Sequence, residues 1–172
     1  MSVIDLADLS TQFRDAMASV CTPVAVVTAM DGARPHGTTV SAFASLSMSP
    51  PSLLVSLDQG SELLGLVTDT GCFGVNILGS RQSALAGRFA SKGRDKFHDV
   101  AWSRDHDVPR IDDVPHWIAA EVMQTVVVAD HTVVFGRAIA VRGQAAPPLT
   151  YHRRVFGTHA ALDADRACGS RS

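Results

Sequence analysis

The stretch Pro23-Val-Ala-Val-Val-Thr-Ala-Met30, closed by Asp31-Gly32 and followed by Pro35-His-Gly-Thr-Thr-Val-Ser-Ala-Phe43, reads as two β-strands joined by a tight turn. Small and β-branched residues fill the first arm, and Asp-Gly is a strong hairpin signal because both residues tolerate positive φ. The two arms therefore pair antiparallel. Downstream, Pro50-Pro51 interrupts regular structure before Ser52-Leu-Leu-Val-Ser-Leu57, a third strand, and Gly71-Cys-Phe-Gly-Val-Asn-Ile-Leu78 reads as a fourth. The runs Trp117 to Val128 and Thr132 to Val141, broken by Ala129-Asp130-His131, form a second long antiparallel pair.

Helical spacing is confined to three short segments. Phe13, Met17 and Val20 recur three or four apart between Ser10 and Val20, Ser61 caps a helix reaching Thr68, and Ser80 opens another that ends near Ala90. From Ser91 to Asp113 the chain is rich in charge, Gly and His, and reads as the longest irregular stretch. Five or six strands with short helices at their ends give a mainly β fold, an antiparallel barrel or sandwich. Strands and helices do not alternate as in a doubly wound sheet. No GxGxxG or GxxxxGK[ST] follows a strand, so a Rossmann unit and a P-loop are both excluded.

The chain has 172 residues, a length that fits one domain, and 46% apolar residues supply its core. Its 15 basic and 17 acidic residues are not gathered into a cationic stripe, which argues against a nucleic-acid partner. Cys21, Cys72 and Cys168 are odd in number and unpaired by spacing, as in reduced cytosolic thiols. The seven histidines include no HxH or HExxH, so no metal site is expected. With neither a signal-like start nor an apolar run of bilayer length, the expectation is a cytoplasmic domain over residues 10–160, without membrane contact, between flexible termini at 1–9 and 163–172.

Four segments carry chemistry, and each admits two readings. Gly37 to Pro51 holds two threonines and four serines. They form either the polar face of a strand and its turn or a hydroxyl edge that hydrogen-bonds a planar heteroaromatic ring. Ser56-Leu57-Asp58-Gln59-Gly60-Ser61 runs from a strand into a helix and is either an ordinary cap or a phosphate-binding N-terminus. Arg88 to Phe97 is either a solvated basic helix end or a phosphate clamp. Asp130-His131 is either a surface pair or an imidazole held in place by its neighbouring carboxylate. Tyr151-His152-Arg153-Arg154 adds a ring and two guanidinium groups, and is equally consistent with a surface salt-bridge patch.

Together these segments resemble the flavin reductase family, whose FMN-binding split-barrel members are the small reductase components of two-component flavin-dependent monooxygenases. The resemblance runs from about Phe13 to His159. It is carried by Phe13-Arg14-Asp15-Ala16-Met17, by His36 to Phe43 leading into Ser45-Leu46-Ser47 and Pro50-Pro51, by Arg88-Phe89-Ala90 with Lys96-Phe97, by Asp130-His131 with Gly136, and by Tyr151 to Gly157.

The resemblance implies an antiparallel split β-barrel with short flanking helices and a homodimer holding FMN or FAD in a groove at the subunit interface. It assigns flavin contacts to Thr38, Thr39, Val40, Ser41, Ala42, Ser45, Leu46 and Ser47, phosphate-side contacts to Ser56, Leu57, Asp58 and Ser61, and further flavin contacts to Phe89, Ala90, Ser91, Lys92 and Lys96. His131 is placed beside the nicotinamide of NADH or NADPH as the catalytic residue, with Tyr151, Arg153 and Arg154 lining the same side. Ala129 stands where the family's Gly-Asp-His turn has glycine.

The activity implied is hydride transfer from NAD(P)H to flavin, with reduced flavin diffusing to a separate monooxygenase. The two cofactors carry that chemistry, so the protein need only stack them at about 3–3.5 Å, and no acid–base dyad is required. The alternatives are a split-barrel oxidase with tightly held FMN acting on a small organic substrate, and a non-catalytic flavin-binding module.

Overall fold

The structure is a computed structural model and describes residues 6–93 and 95–161; the expected flexible tail at 163–172, Cys168 and Arg94 of the basic segment lie outside these. In chain order the elements are α1 (Leu6–Ala18), β1 (Thr22–Pro23), β2 (Ala25–Asp31), β3 (Arg34–Val40), β4 (Phe43–Met48), β5 (Pro51–Asp58), α2 (Glu62–Thr70), β6 (Cys72–Ile77), α3 (Ser83–Ala90), β7 (Trp102–Asp105), β8 (Val108–Ile111), β9 (His116–Val128), β10 (His131–Gly143), β11 (Thr150–His152) and β12 (Val155–Gly157). The fold is mainly β, and every strand pairing is antiparallel.

Seven strands form one sheet in the order β3-β2-β6-β9-β10-β5-β4. Its two edge strands are consecutive in sequence, and the Ser56 N–H donates to the Ala42 carbonyl at 2.9 Å, bringing the β3–β4 corner back onto β5. The sheet thus curls on itself. β2 shows why its sequence is a continuous apolar run: Ala25, Val27 and Ala29 face one core while Val24, just ahead of it, and Val26 face a second. The first core is completed by Leu63 and Val67 of α2, the second by Ala86 and Phe89 of α3 with Phe97, Ile111 and Leu149.

Gly136 in β10 is required by packing. A β-carbon there would lie 2.5 Å from Cζ of the buried Phe73 ring, which fills the first core beneath it.

The hairpin announced by Asp31-Gly32 forms, with its two-residue turn at Gly32-Ala33: Asp31 ends β2 opposite Arg34, and of the pair only Gly32 takes positive φ, at 59. Four expectations are corrected. β4 is a strand, where the serine-rich segment read as a turn, because its edge position beside β5 needs no apolar alternation. The stretch from Ser91 to Asp113 contains the β7–β8 hairpin, whose His106 and Asp107 both take positive φ without the Asn-Gly or Asp-Gly signature of such turns. α1 begins at Leu6 rather than near Ser10, and none of its residues is buried. The described strands number twelve, several too short for periodicity to reveal. Among the described residues no helix is long and apolar enough to cross a membrane.

Candidate functional site

The antiparallel register sets His131, the first residue of β10, opposite Asp58, the last of β5. The Ser56–Ala42 bond brings the end of β3 to the same place. There a cavity of ≈ 270 Å³ is lined by Thr38, Thr39, Val40, Ser41, Ala42, Ser56, Leu57, Asp58, Ser61 and His131. All of its lining residues belong to the segments singled out in the sequence. A larger depression of ≈ 540 Å³ lies around Arg110, Trp117 and Arg142, toward the far end of β10, and gathers none of them.

The hydroxyls of the cavity differ in what they are free to do. Thr39 Oγ1 donates to the Ala86 carbonyl at 2.7 Å and Thr38 Oγ1 to the Phe89 carbonyl at 3.4 Å, so both tie α3 to β3 and keep only acceptor capacity. Ser41, Ser56 and Ser61 have no side-chain partner among the described residues. Val40 and Leu57 turn into the first core and leave little besides main chain to a ligand. Asp58 Oδ1 accepts from the Gly60 N–H at 2.7 Å, shaping the loop into α2. Ser61 occupies the N-cap of α2 without a capping bond of its own, and the first-turn amides at Glu62 and Leu63 have no carbonyl within the helix to reach. Neutral donors along one edge and a helix N-terminus at the other fit a flavin ring and its phosphate in chemical type.

His131 stands half-exposed at the rim, with Nδ1 2.8 Å from Asp130 Oδ1. The carboxylate can only accept, so it fixes the proton on Nδ1 and leaves Nε2 as the free ring nitrogen. That bond, with a contribution from its own backbone amide, holds the Asp130 carboxyl below the usual carboxylate range. Ala129 takes φ 52, so the left-handed turn geometry is kept although the residue is not glycine.

The other expected residues lie elsewhere. Ser45, Leu46 and Ser47 sit on edge strand β4 outside the cavity, and Ser47 Oγ accepts from the Ser49 N–H at 3.1 Å. The Phe89 ring is fully buried in the second core, edge-on to Phe97 at 4.8 Å, because α3 turns its apolar face to the sheet. Ala90, the last residue of α3, and Ser91 and Lys92 just after it are exposed. Lys96 Nζ donates to the carbonyls of Phe89 at 2.9 Å and Gly37 at 3.3 Å, so it closes α3 onto β3, and burial pushes its ammonium below the usual value. Tyr151 packs against Phe156, while Arg153 and Arg154 line a separate depression with Asp15, Ala18 and Ser19.

Gln59 was not singled out by the sequence. It reaches across to the hairpin that carries His131, and no pattern in the chain marks a loop glutamine for that task.

The chain matches the model of the flavin reductase like domain over residues 17–160. It is 36% identical over 152 residues to the NADH:riboflavin 5'-phosphate oxidoreductase of Streptomyces pristinaespiralis, covering 85% of this chain and 86% of that protein. It is 32% identical over 167 residues to the reductase component of the flavin-dependent trigonelline monooxygenase of Acinetobacter baylyi, covering 96% of this chain and 54% of that one. Against some curated relatives, then, the chain spans only about half the length, 47% and 54% in two cases. Among solved structures, the styrene monooxygenase flavin reductase of Pseudomonas putida S12 superposes with a TM-score of 0.80 at 30% identity, over 87% of this chain and 98% of that one. With the curled antiparallel sheet and the hydroxyl-lined cavity at its β3–β4 corner, these similarities place the chain in the flavin reductase like domain family.

Proposed function

We propose that the chain is an NAD(P)H:flavin oxidoreductase that works in the cytoplasm as a homodimer and supplies reduced FMN or FAD to a separate monooxygenase. The observation that carries this reading is the cavity itself: three serine hydroxyls without partners, a helix N-terminus and a carboxylate-held imidazole converge on one small space. Ser41 and Ser56 hydrogen-bond the ring edge, Ser61 and the first amides of α2 receive the phosphate, and His131 orients the nicotinamide against the exposed ring face. The flavin, when bound, supplies the hydride-accepting chemistry. The residues bind, align and exclude water, which is where the protein's share of the rate arises.

Size and surface support the homodimer. A cavity of ≈ 270 Å³ falls just below the roughly 300–1,000 Å³ of pockets that bury a ligand, which favours a second copy as a further wall. Met123, Val127 and Val128 of β9 and Val141 of β10 are more than half exposed, an apolar surface of the kind that marks an interface.

The test is oxidation of NADH and NADPH, followed by loss of nicotinamide absorbance, with FMN, FAD and riboflavin offered in turn. Turnover that requires added flavin supports the reading. Binding of flavin without oxidation of either nicotinamide overturns it.

A further inference from the structure

The loop between β5 and α2 reaches the turn before His131 through Gln59, by both its main chain and its side chain. The Gln59 N–H donates to the Asp130 carbonyl at 3.0 Å, one step beyond the His131–Asp58 pair, and so extends the β5–β10 ladder to the turn. Its side-chain Nε2 then donates to the Ala129 carbonyl at 2.7 Å. One residue therefore holds two consecutive carbonyls of a two-residue turn.

That turn needs holding. Ala129 lies in the left-handed region at φ 52, which disfavours any residue with a β-carbon and is kept only where surrounding contacts over-determine it. Its neighbour Asp130 fixes the His131 imidazole, so a change in the turn is passed to the ring by one residue. Gln59 is itself absent from the cavity lining, although Asp58 and Ser61 on either side of it belong there.

We infer that Gln59 is a positioning residue for hydride transfer: it locks the Ala129–Asp130 turn to the loop bearing Asp58 and Ser61, and so sets where His131 stands relative to the nicotinamide. The inference rests on the flavin-reductase reading above. The Gln59–Ala129 bond is solvent-exposed, so its loss does not unfold the protein, and its effect is on placement. Such placement matters because small displacements of a group aligning two reactants are felt strongly in rate.

The test uses Gln59→Leu, which keeps the backbone bond and removes only the side-chain donor, and Gln59→Arg, which returns a donor. Hydrogen–deuterium exchange of residues 126–133 in flavin-free protein reads the turn, and KM for NADH beside the flavin Kd reads the consequence. In Gln59→Leu exchange at the turn quickens about tenfold. KM for NADH rises about fivefold with flavin Kd and thermal midpoint unchanged, and Gln59→Arg recovers most of both. Unaltered exchange, an unaltered KM, or equal losses in the Leu and Arg variants overturns the proposal. So does a flavin Kd that weakens in step with KM, since Gln59 would then serve the flavin. A wild-type chain that oxidises no nicotinamide with any flavin overturns the underlying reading and this inference with it, and that case is recognised because the exchange difference between variants persists.

Discussion

Thr39 Oγ1 lies 2.7 Å from the Ala86 carbonyl and donates to it, so a residue of the candidate cavity has its hydroxyl proton engaged by the helix behind. Ser41, two residues on, has no such partner. Hydroxyls with the same sequence signature thus have different consequences. Thr39→Val should lower stability by about 1 kcal/mol, because it removes the side-chain hydrogen bond that ties β3 to α3. Ser41→Ala should leave the denaturation midpoint in place and weaken flavin affinity about fivefold, or about 1 kcal/mol. Denaturant titration and flavin fluorescence on both variants separate the two; a Ser41→Ala variant that loses stability and keeps its affinity would make Ser41 a framework residue.

Ala129→Gly addresses the strained turn directly. Holding a non-glycine residue in the left-handed region costs about 1–2 kcal/mol. Glycine adds about 0.4–1 kcal/mol of unfolded-chain entropy. The first exceeds the second, so the variant should gain up to about 1.5 kcal/mol of stability. A lower denaturation midpoint would show that the turn contacts already absorb the strain.

The fold's main elements were legible where local chemistry and tertiary context agree. Asp31-Gly32 announces the first hairpin because that dipeptide tolerates positive φ, and β2 reads as a strand because both of its faces are covered. The β7–β8 hairpin was hidden because His106-Asp107, held at φ 49 and 60, is not the Asn-Gly or Asp-Gly pair that announces such a turn. β4 was hidden because an edge strand pairs through its backbone and leaves serines outward. In the site, Ser41, Ser56 and Ser61 were legible as polar residues between apolar runs. The burial of the Phe89 ring was not legible because a phenylalanine on a short helix looks the same in sequence whether its ring meets a ligand or a core, and Gln59 was missed because its contact is with a partner 70 residues away.

His36 supplies a pH dependence of stability. It is buried on β3, and burial pushes its imidazole below the ordinary value, with Lys96 and Arg34 acting in the same direction and Glu62 and Asp31 opposing. The unfolded chain therefore binds its proton first as pH falls. Stability is full above the ordinary imidazole pKa of about 6.5 and declines as pH drops from there toward the lower folded value. Denaturant midpoints at about pH 7.5 and about pH 5 should show the loss in the wild type and a smaller one in His36→Gln. Equal losses in both would assign the acid sensitivity to other groups.

His131→Ala should slow reduction of bound flavin more than it weakens flavin binding, because the imidazole stands at the cavity's rim while the hydroxyl edge lies within. The expected loss in the reduction step is about tenfold, equivalent to about 1.4 kcal/mol of transition-state positioning. Stopped-flow reduction of flavin by NADH reads this without interference from product release. A wild-type rate in the variant would return His131 to the surface.

The last expectation concerns where reduced flavin goes. The small cavity opens to solvent at a corner of the sheet, and its lining is hydroxyls and main chain with one carboxylate, Asp58, and one imidazole, His131, and contains no Lys or Arg. Such a site holds flavin by a few hydrogen bonds, each of net worth about 0.5–1.5 kcal/mol, and releases it readily. Placing this chain and a flavin-dependent monooxygenase on opposite sides of a membrane permeable only to small molecules, with NADH, flavin and catalase supplied, tests that step. Hydroxylated product forming across the membrane is the expected result. Product that appears only when the two proteins share a compartment would replace free diffusion by transfer within a docked complex.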